Sequence, residues 1–272
     1  MSKKMSSAII GFSKLLMAPL KARRCWLVKA RTIEGFYQDI PVETDLGPLR
    51  FHITNRQTLV IPVEFNAYEP ETLKWIKDFP VGAVLWDIGA NIGALSLYAA
   101  LIPETIVLAF EPAAATYALL VKNIEINAMG GQVFAYPLAL SDETKCGSLN
   151  MASTEAGSFL HAFEDDTNVH DEIIPVTFSQ ASVGISVDDF IHLFDPPKPT
   201  HIKLDVDSTE ARIIKGGEGL LKKGAVQSVF IELEGALESE RNRKIITRMR
   251  DLGYQPLERT SSEIRNLEFR KA

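Results

Sequence analysis

Apolar residues in this chain gather into short blocks set apart by polar punctuation, and two spacings alternate along it. Residues 81–86, 105–110, 132–138, 201–206 and 226–233 are compact, apolar and rich in β-formers, as expected of strands buried on both faces. Helix-compatible segments lie between them: 69–79 opened near Pro70, 94–102, 117–128 and 209–222. Strands alternating with helices predict a parallel sheet covered by helices on both faces. Gly253-Tyr254, a turn at Ser261-Ser262 and a return over 264–269 predict an antiparallel hairpin that finishes the sheet. Residues 143–200 break the rhythm. Their polar stretches, Gly157 and the acidic run Glu164-Asp165-Asp166 predict a hairpin-bearing excursion over the sheet's edge, long enough to form a substrate lid.

With 272 residues, 46% of them hydrophobic, the chain can bury one sizeable core or carry one domain and an appendage. Cys25 and Cys146 lie far apart, and no histidines cluster, so neither a disulfide framework nor a zinc site is indicated and a reducing, cytoplasmic setting is expected. Charge is divided unevenly. Residues 1–35 hold eight basic side chains against Glu34, a net of +7, which leaves −13 on the remainder of a chain whose total is −6. The acidic body argues against nucleic acid, which is gripped through its phosphates. Within residues 1–24, Ile9, Ile10, Phe12, Leu15, Leu16, Met17 and Leu20 interleave with Ser13, Lys14 and Lys21, and no apolar run approaches the ~20 residues of a spanning helix. Three readings stay open for this segment: a helix on a membrane surface with the protein peripheral to the bilayer, a cleavable leader, or a helix packed on the protein or an oligomer partner.

The stretch Val84-Leu85-Trp86-Asp87-Ile88-Gly89-Ala90-Asn91-Ile92-Gly93 ends a strand in an acid and two glycines before a helix. In an open parallel sheet that turn lies where ligands bind, and the helix start exposes unpaired amides. Asp87 would repel a pyrophosphate but suits an ammonium group or hydroxyls. The middle glycine of a dinucleotide fingerprint is missing. Glu111, in Phe110-Glu111-Pro112 about 20 residues on, stands where an acid accepts both hydroxyls of a ribose. Either acid alone reads equally well as a helix cap or a solvated charge. Together, each after its own strand, they point to a nucleoside without phosphates, and S-adenosylmethionine is the obvious one.

Tyr68-Glu69-Pro70-Glu71-Thr72, the Asp87 loop, Phe110-Glu111-Pro112, Ala139-Leu140-Ser141-Asp142, Ile202-Lys203-Leu204-Asp205-Val206-Asp207 with Glu210, and Lys215-Gly216-Gly217 follow one another in an order that resembles the FkbM-type methyltransferases. The likeness runs from about residue 60 to the end. It implies a Rossmann-like, seven-stranded, mostly parallel sheet over residues 41–272, with 1–40 as a basic amphipathic appendage. It also implies S-adenosylmethionine as cofactor and O-methylation of a hydroxyl on a glycan or other small molecule. By the same resemblance Asp87, Gly89, Ala90, Asn91 and Gly93 form the methionine-side loop, Glu111 with Pro112 the ribose site, Ser141 with Asp142 the adenine-side turn, and Glu69 an acid ahead of the first strand. Where such proteins commonly read I-D-V-E-G, this chain reads Leu204-Asp205-Val206-Asp207-Ser208, a shorter acid and no glycine.

Methyl transfer to an alcohol is an in-line displacement in which alignment supplies much of the acceleration, and the hydroxyl must also lose its proton. Asp205, at the carboxyl end of the fourth strand, is the first candidate to orient or deprotonate it, with Asp207, Glu232 and Glu234 nearby and His161 and His170 in the excursion. The same acids can equally bind cofactor, cap a helix or pair with a base. Two or three carboxylates at strand ends are thin grounds for magnesium or calcium, and no metal is expected. Trp26, Trp75, Phe159 and Phe163 are candidates for a sugar platform or for core. Two classes of function follow: an O-methyltransferase, or a cofactor-binding module without catalysis in which the altered Asp207-Ser208 pair and the basic head serve an interaction role.

Overall fold

The computed structural model describes residues 2–36, 38–165, 175–233, 239–257 and 266–272, and the chain divides into two compact units, 1–39 and 40–272. In the first, α1 (Ser2–Met17) and α2 (Ala22–Phe36) are separated by a turn in which Leu20 N donates to Met17 O. Pro19 ends α1, because its ring disfavours helical backbone at Ala18.

A two-stranded sheet follows, β1 (Gln38–Thr44), whose first two residues belong to the first unit, and β2 (Gly47–Ile53), which the apolar pattern did not predict. Thr44 shapes its turn: the hydroxyl donates to Gly47 O at 2.6 Å and accepts from the amides of Leu46 and Gly47. Helices α3 (Gln57–Val63), α4 (Phe65–Tyr68) and α5 (Pro70–Lys77) follow, with Pro70 at the start of α5, where its missing amide hydrogen costs nothing. Next come β3 (Val84–Ile88), α6 (Ala94–Ala99), β4 (Ile106–Phe110), α7 (Ala114–Ile126) and β5 (Val133–Tyr136). After the excursion the chain continues through β10 (His201–Leu204), α9 (Glu210–Gly216), α10 (Glu218–Lys222), β11 (Ser228–Glu232), α11 (Glu240–Asp251), β12 (Tyr254–Pro256) and β13 (Asn266–Lys271).

The main sheet has seven strands in the order β12-β13-β11-β10-β3-β4-β5. Strands β11, β10, β3, β4 and β5 run parallel, while β13 lies antiparallel to both β11 and β12. This is the predicted α/β architecture with its C-terminal hairpin; the turn expected at Ser261-Ser262 lies outside the described residues. Alternate side chains of each strand serve opposite faces. Leu85, Val107 and Ala109 join Trp75, Ile76, Leu97 and Leu120 on one side, and Trp86, Leu108, Phe110, Ile202, Leu204 and Ile231 join Phe190, Ile213 and Met249 on the other. Each such side chain contributes about 1.5–3 kcal/mol by leaving water. From β3 the chain moves outward through β4 and β5, then returns on the other side of β3 as β10. Strand order therefore reverses between β3 and β10, and their carboxyl ends flank the crevice in which ligands bind in such sheets.

The excursion forms a second sheet, ordered β6-β9-β7-β8, from β6 (Ala139–Ser141), β7 (Lys145–Met151), β8 (His161–Phe163) and β9 (Phe178–Ser186). The expected hairpin is the antiparallel pair β7–β8, and β9 pairs antiparallel with the other edge of β7. Strand β9 leads into α8 (Val187–Phe194), a helix the sequence reading did not include, which is capped by Ser186 Oγ accepting from Asp189 N. The single helix expected over 209–222 is two, α9 and α10, meeting at Gly217. Among the described residues no helix is long and apolar enough to cross a membrane, and Cys25 and Cys146 are free thiols.

Candidate active site

The turn after β3 is shaped by backbone contacts that its glycines make possible. The amides of Gly89 and Ala90 both donate to Phe110 O, at 3.0 and 3.1 Å, which stitches the loop onto the end of β4. Gly89 adopts φ +87°, and a β-carbon there would lie 1.7 Å from the carbonyl oxygen of Asp205. Gly93, at φ +85°, faces the more yielding Leu120 side chain. Gly89→Ala is therefore expected to separate the β3 and β10 loops, costing roughly 1–3 kcal/mol of stability through backbone strain and overpacking. Gly93→Ala is expected to cost less. Thermal unfolding of the two variants compares them, and equal melting temperatures would mean that the Gly89–Asp205 approach constrains nothing.

Beside this loop lies a cavity of about 610 Å³, lined by Glu69, Asp87 to Ile92, Glu111, Pro112, Asp205, Asp207 and Glu232 among others. Among the described residues its wall holds acceptors that lack donors. Asp87 is buried, with one carboxylate oxygen receiving the Ser96 hydroxyl at 2.6 Å and the other, Oδ1, without a partner. Asn91 Oδ1 is likewise buried and unpartnered. Glu111 accepts the amides of Asn91 and Ala113 at 3.0 and 2.8 Å, one on each oxygen, so each oxygen keeps further accepting capacity. Burial pushes the Glu111 carboxyl up to about 7, with those two amides opposing it. Burial also raises the Asp87 carboxyl, against the pull of Lys203 and Ser96.

One buried cation organises these acids. Lys203, in register with Asp87 across β10 and β3, places its Nζ 2.5 Å from Asp205 Oδ2 and 3.6 Å from Glu69 Oε2. Burial alone would strip its proton, but Asp205, Glu69 and Asp87 outweigh that and hold it charged well above the usual lysine range. Burial works against the Asp205 carboxylate, yet Lys203 and a hydrogen bond from Glu232 bring it below the ordinary aspartate value. Glu232 is pushed far up, first by burial and then by Asp205, so it carries the proton shared by the pair. The sequence reading gave Lys203 no role. Its one visible signal was a lysine set in an apolar strand two residues before an acid, which puts both side chains on one face.

The excursion contributes Phe159, His161 and Phe163 to the lining. Asp207, at a left-handed φ of +57°, turns its Oδ2 to the amides of Leu160 and His161 at 2.6 and 3.3 Å. The carboxylate expected to do chemistry thus holds the excursion in place. Among the described residues neither ring nitrogen of His161 has a hydrogen-bond partner, and burial, weakly opposed by the Leu160 backbone, lowers its pKa, which favours the neutral imidazole. Ser141 and Asp142 do not line the cavity, where Leu138, Ala139 and Leu140 do. Instead Asp142 accepts from Arg212 Nε and Lys215 Nζ at 3.0 and 3.1 Å, and these contacts overcome burial to hold it down at about 2. Trp75 is core. Glu234 and His170 lie outside the described residues. Among the described residues no group of three or more His, Cys, Asp or Glu is arranged to hold a metal.

Residues 87–256 match the model of the methyltransferase FkbM domain. Methyltransferase 1 of Beauveria bassiana is 29% identical over 152 residues, covering 52% of this chain and 61% of that protein. The hexuronic acid methyltransferase AglP of Haloferax volcanii is 26% identical over 165 residues, covering 60% and 61%. The chain thus spans about three fifths of the length of either relative. Among solved structures, the methyltransferase FkbM of Methylobacillus flagellatus aligns with a TM-score of 0.45 at 15% identity, covering 70% of this chain and 44% of that one. The domain model takes in the Asp87 loop, Glu111, the Lys203-to-Asp207 stretch and the β12 strand, well over half of the sequence, and the chain belongs to the FkbM methyltransferase family.

Proposed function

We propose that the protein is an S-adenosylmethionine-dependent O-methyltransferase whose acceptor is an uncharged hydroxyl of a glycan or other small molecule. The observation that carries this reading is the set of acceptors without donors along one wall: Asp87 Oδ1, Asn91 Oδ1 and the open capacity of Glu111. Such a wall asks for a ligand rich in donors, which an ammonium group and a ribose diol provide. Bound there, S-adenosylmethionine would supply an electrophilic methyl group. Asp87 and Asn91 would accept from its ammonium and Glu111 from its ribose, with Pro112 beside the latter. Glu69 is committed to Thr72 and Lys203, so its part is to hold Lys203 in place.

On the acceptor side, the ionised Asp205 receives the hydrogen bond of the incoming hydroxyl and aims its lone pair. A carboxylate held below its usual pKa is a weak base. It takes the proton late, as the oxygen gives its electrons to the methyl carbon and acidifies. His161, which also lines the cavity, is a further candidate proton acceptor. Lys203 is one cation against Glu69, Asp87, Glu111, Asp205 and Asp207, and an acceptor carboxylate would be repelled. Phe159 is 62% exposed and lines the cavity, placed to cover the apolar face of a sugar. The hexuronic acid relative brings sugars into the panel to be tried; neutral glycosides are expected to accept methyl better than free uronates. Binding of S-adenosylhomocysteine without transfer to any acceptor, in a complex whose acceptor space is filled by side chains, would leave the binding-module reading instead.

Cofactor affinity should depend on pH through Glu111. Ribose hydroxyls donate to the ionised carboxylate, so binding expels its proton wherever the free protein still holds one. With the free carboxyl near 7, affinity for S-adenosylhomocysteine is expected to rise by up to about tenfold per pH unit below that value and to level off above it. Glu111→Gln should weaken binding and flatten the profile. Calorimetry from acid to mildly alkaline pH reads both, and a wild-type profile as flat as the variant's would remove Glu111 from the ribose site.

A further inference from the structure

The two N-terminal helices are two-faced, and each face has a definite chemistry. Met5, Ile9, Phe12, Leu15 and Leu16 recur at helical spacing along one side of α1, each between 54% and 71% exposed, with Lys3 and Lys14 on the opposite side. In α2, Trp26, Ile33 and Phe36 share a side, all exposed, and no residue of the helix is buried. Lys29 reaches over the Trp26 ring at 4.2 Å, an arrangement that lets an aromatic sit at an apolar boundary while the ammonium stays in water. Only Glu34 offsets the eight basic residues of this segment.

We infer that residues 2–36 lie on an anionic lipid surface, with their apolar sides in the headgroup and acyl boundary and their basic sides toward the phosphates. Charge decides between this occupant and a second copy of the chain. Pairing two such segments would bring two clusters of net +7 together with a single acid in each, whereas paired helices that flank an apolar seam with charge need both signs. An anionic bilayer supplies the missing sign along the whole face. Neither helix is long and apolar enough to span, so the segment rests on the bilayer. This inference does not depend on the methyltransferase reading.

Tryptophan emission of the full chain tests it. Trp75 and Trp86 are 4% and 0% exposed while Trp26 is 67% exposed, so a change in the exposed fraction reports Trp26. With phosphatidylcholine vesicles containing about a third phosphatidylglycerol, the emission should shift to the blue and the protein should float with the lipid, releasing as salt rises from roughly 0.05 to 0.5 M. Changing Lys3, Lys14, Arg23 and Arg24 to Gln should weaken binding by at least tenfold, since each basic residue near such a surface contributes about fivefold. Phe12→Ser with Leu16→Ser should weaken it too, with the melting temperature of the second unit unchanged. Unshifted emission with anionic vesicles would overturn the proposal. So would equal binding to pure phosphatidylcholine, or sedimentation as a dimer that the serine pair dissociates.

Discussion

Asp205→Asn is expected to lower single-turnover methyl transfer by about 10²–10⁴-fold, the usual worth of a positioned acid or base, while the affinity for S-adenosylhomocysteine changes little. Asparagine keeps the shape and can still receive a hydrogen bond, but it has no charge to polarise the acceptor hydroxyl and cannot keep a proton. The same substitution removes the anion that pairs with Lys203 and holds the Glu232 proton in place. Binding and rate must therefore be measured on one preparation. A parallel fall in both would assign Asp205 to the cofactor. Unchanged turnover would take it out of the mechanism and leave His161, which lines the cavity and whose ring nitrogens have no partner among the described residues.

Lys203→Met is expected to cost about 3–5 kcal/mol, because it breaks a buried ion cluster by removing the cation and leaving the acids. For a chain of this size that is a fall in melting temperature of roughly 6–20 °C. The loss should depend on pH in a definite direction. Asp205 is depressed in the folded protein by Lys203, so its contribution is present above the unfolded aspartate pKa and disappears as pH falls through the lower folded value. Lys203 is raised, so its own contribution is complete at any pH below the ordinary lysine range. Without the cation the buried acids can remain only by taking up protons, which acid supplies. The gap between variant and wild type should thus be wide at mildly alkaline pH and narrow toward acid. A gap that stays constant, or a Lys203→Met protein as stable as wild type at pH 8, would show that the acids are screened by water and do not need the lysine.

The sheet was legible because its strands are buried on both faces and so read as unbroken apolar runs. All five expected strands of the parallel part are present within a few residues of their predicted limits. The Asp87 loop and Glu111 were legible for a related reason: each acid stands at the carboxyl end of such a run. Other elements gave weaker signals. Helix α11 is highly charged, with Ile245 and Met249 as its buried apolar residues, so it has only a narrow stripe to be read. Helix α8 is eight residues long inside a polar excursion, and its Val187 and Phe190 look as much like strand as helix. Side-chain roles were less legible than backbone. Asp87 was expected to meet a ligand, but its burial and the commitment of one oxygen to Ser96, nine residues further on, were not readable from the motif. Lys203 needed the strand order to be known before its three acid neighbours could be seen. Ser141 and Asp142 stand beside the crevice, but the two cations of α9 had already claimed the acid.

The contact between Asp207 and the excursion has a consequence for how such a fold diversifies. The carboxylate holds the backbone amides of Leu160 and His161 and makes no demand on the side chains at those positions. Phe159, Leu160 and His161 can therefore be exchanged over generations without loosening the wall they belong to, provided that none becomes a proline and that position 160, held at φ +62°, avoids β-branched side chains. A lineage could rewrite which acceptor it welcomes by drift at three neighbouring codons, while one aspartate in the turn after β10 preserves the shape of the room.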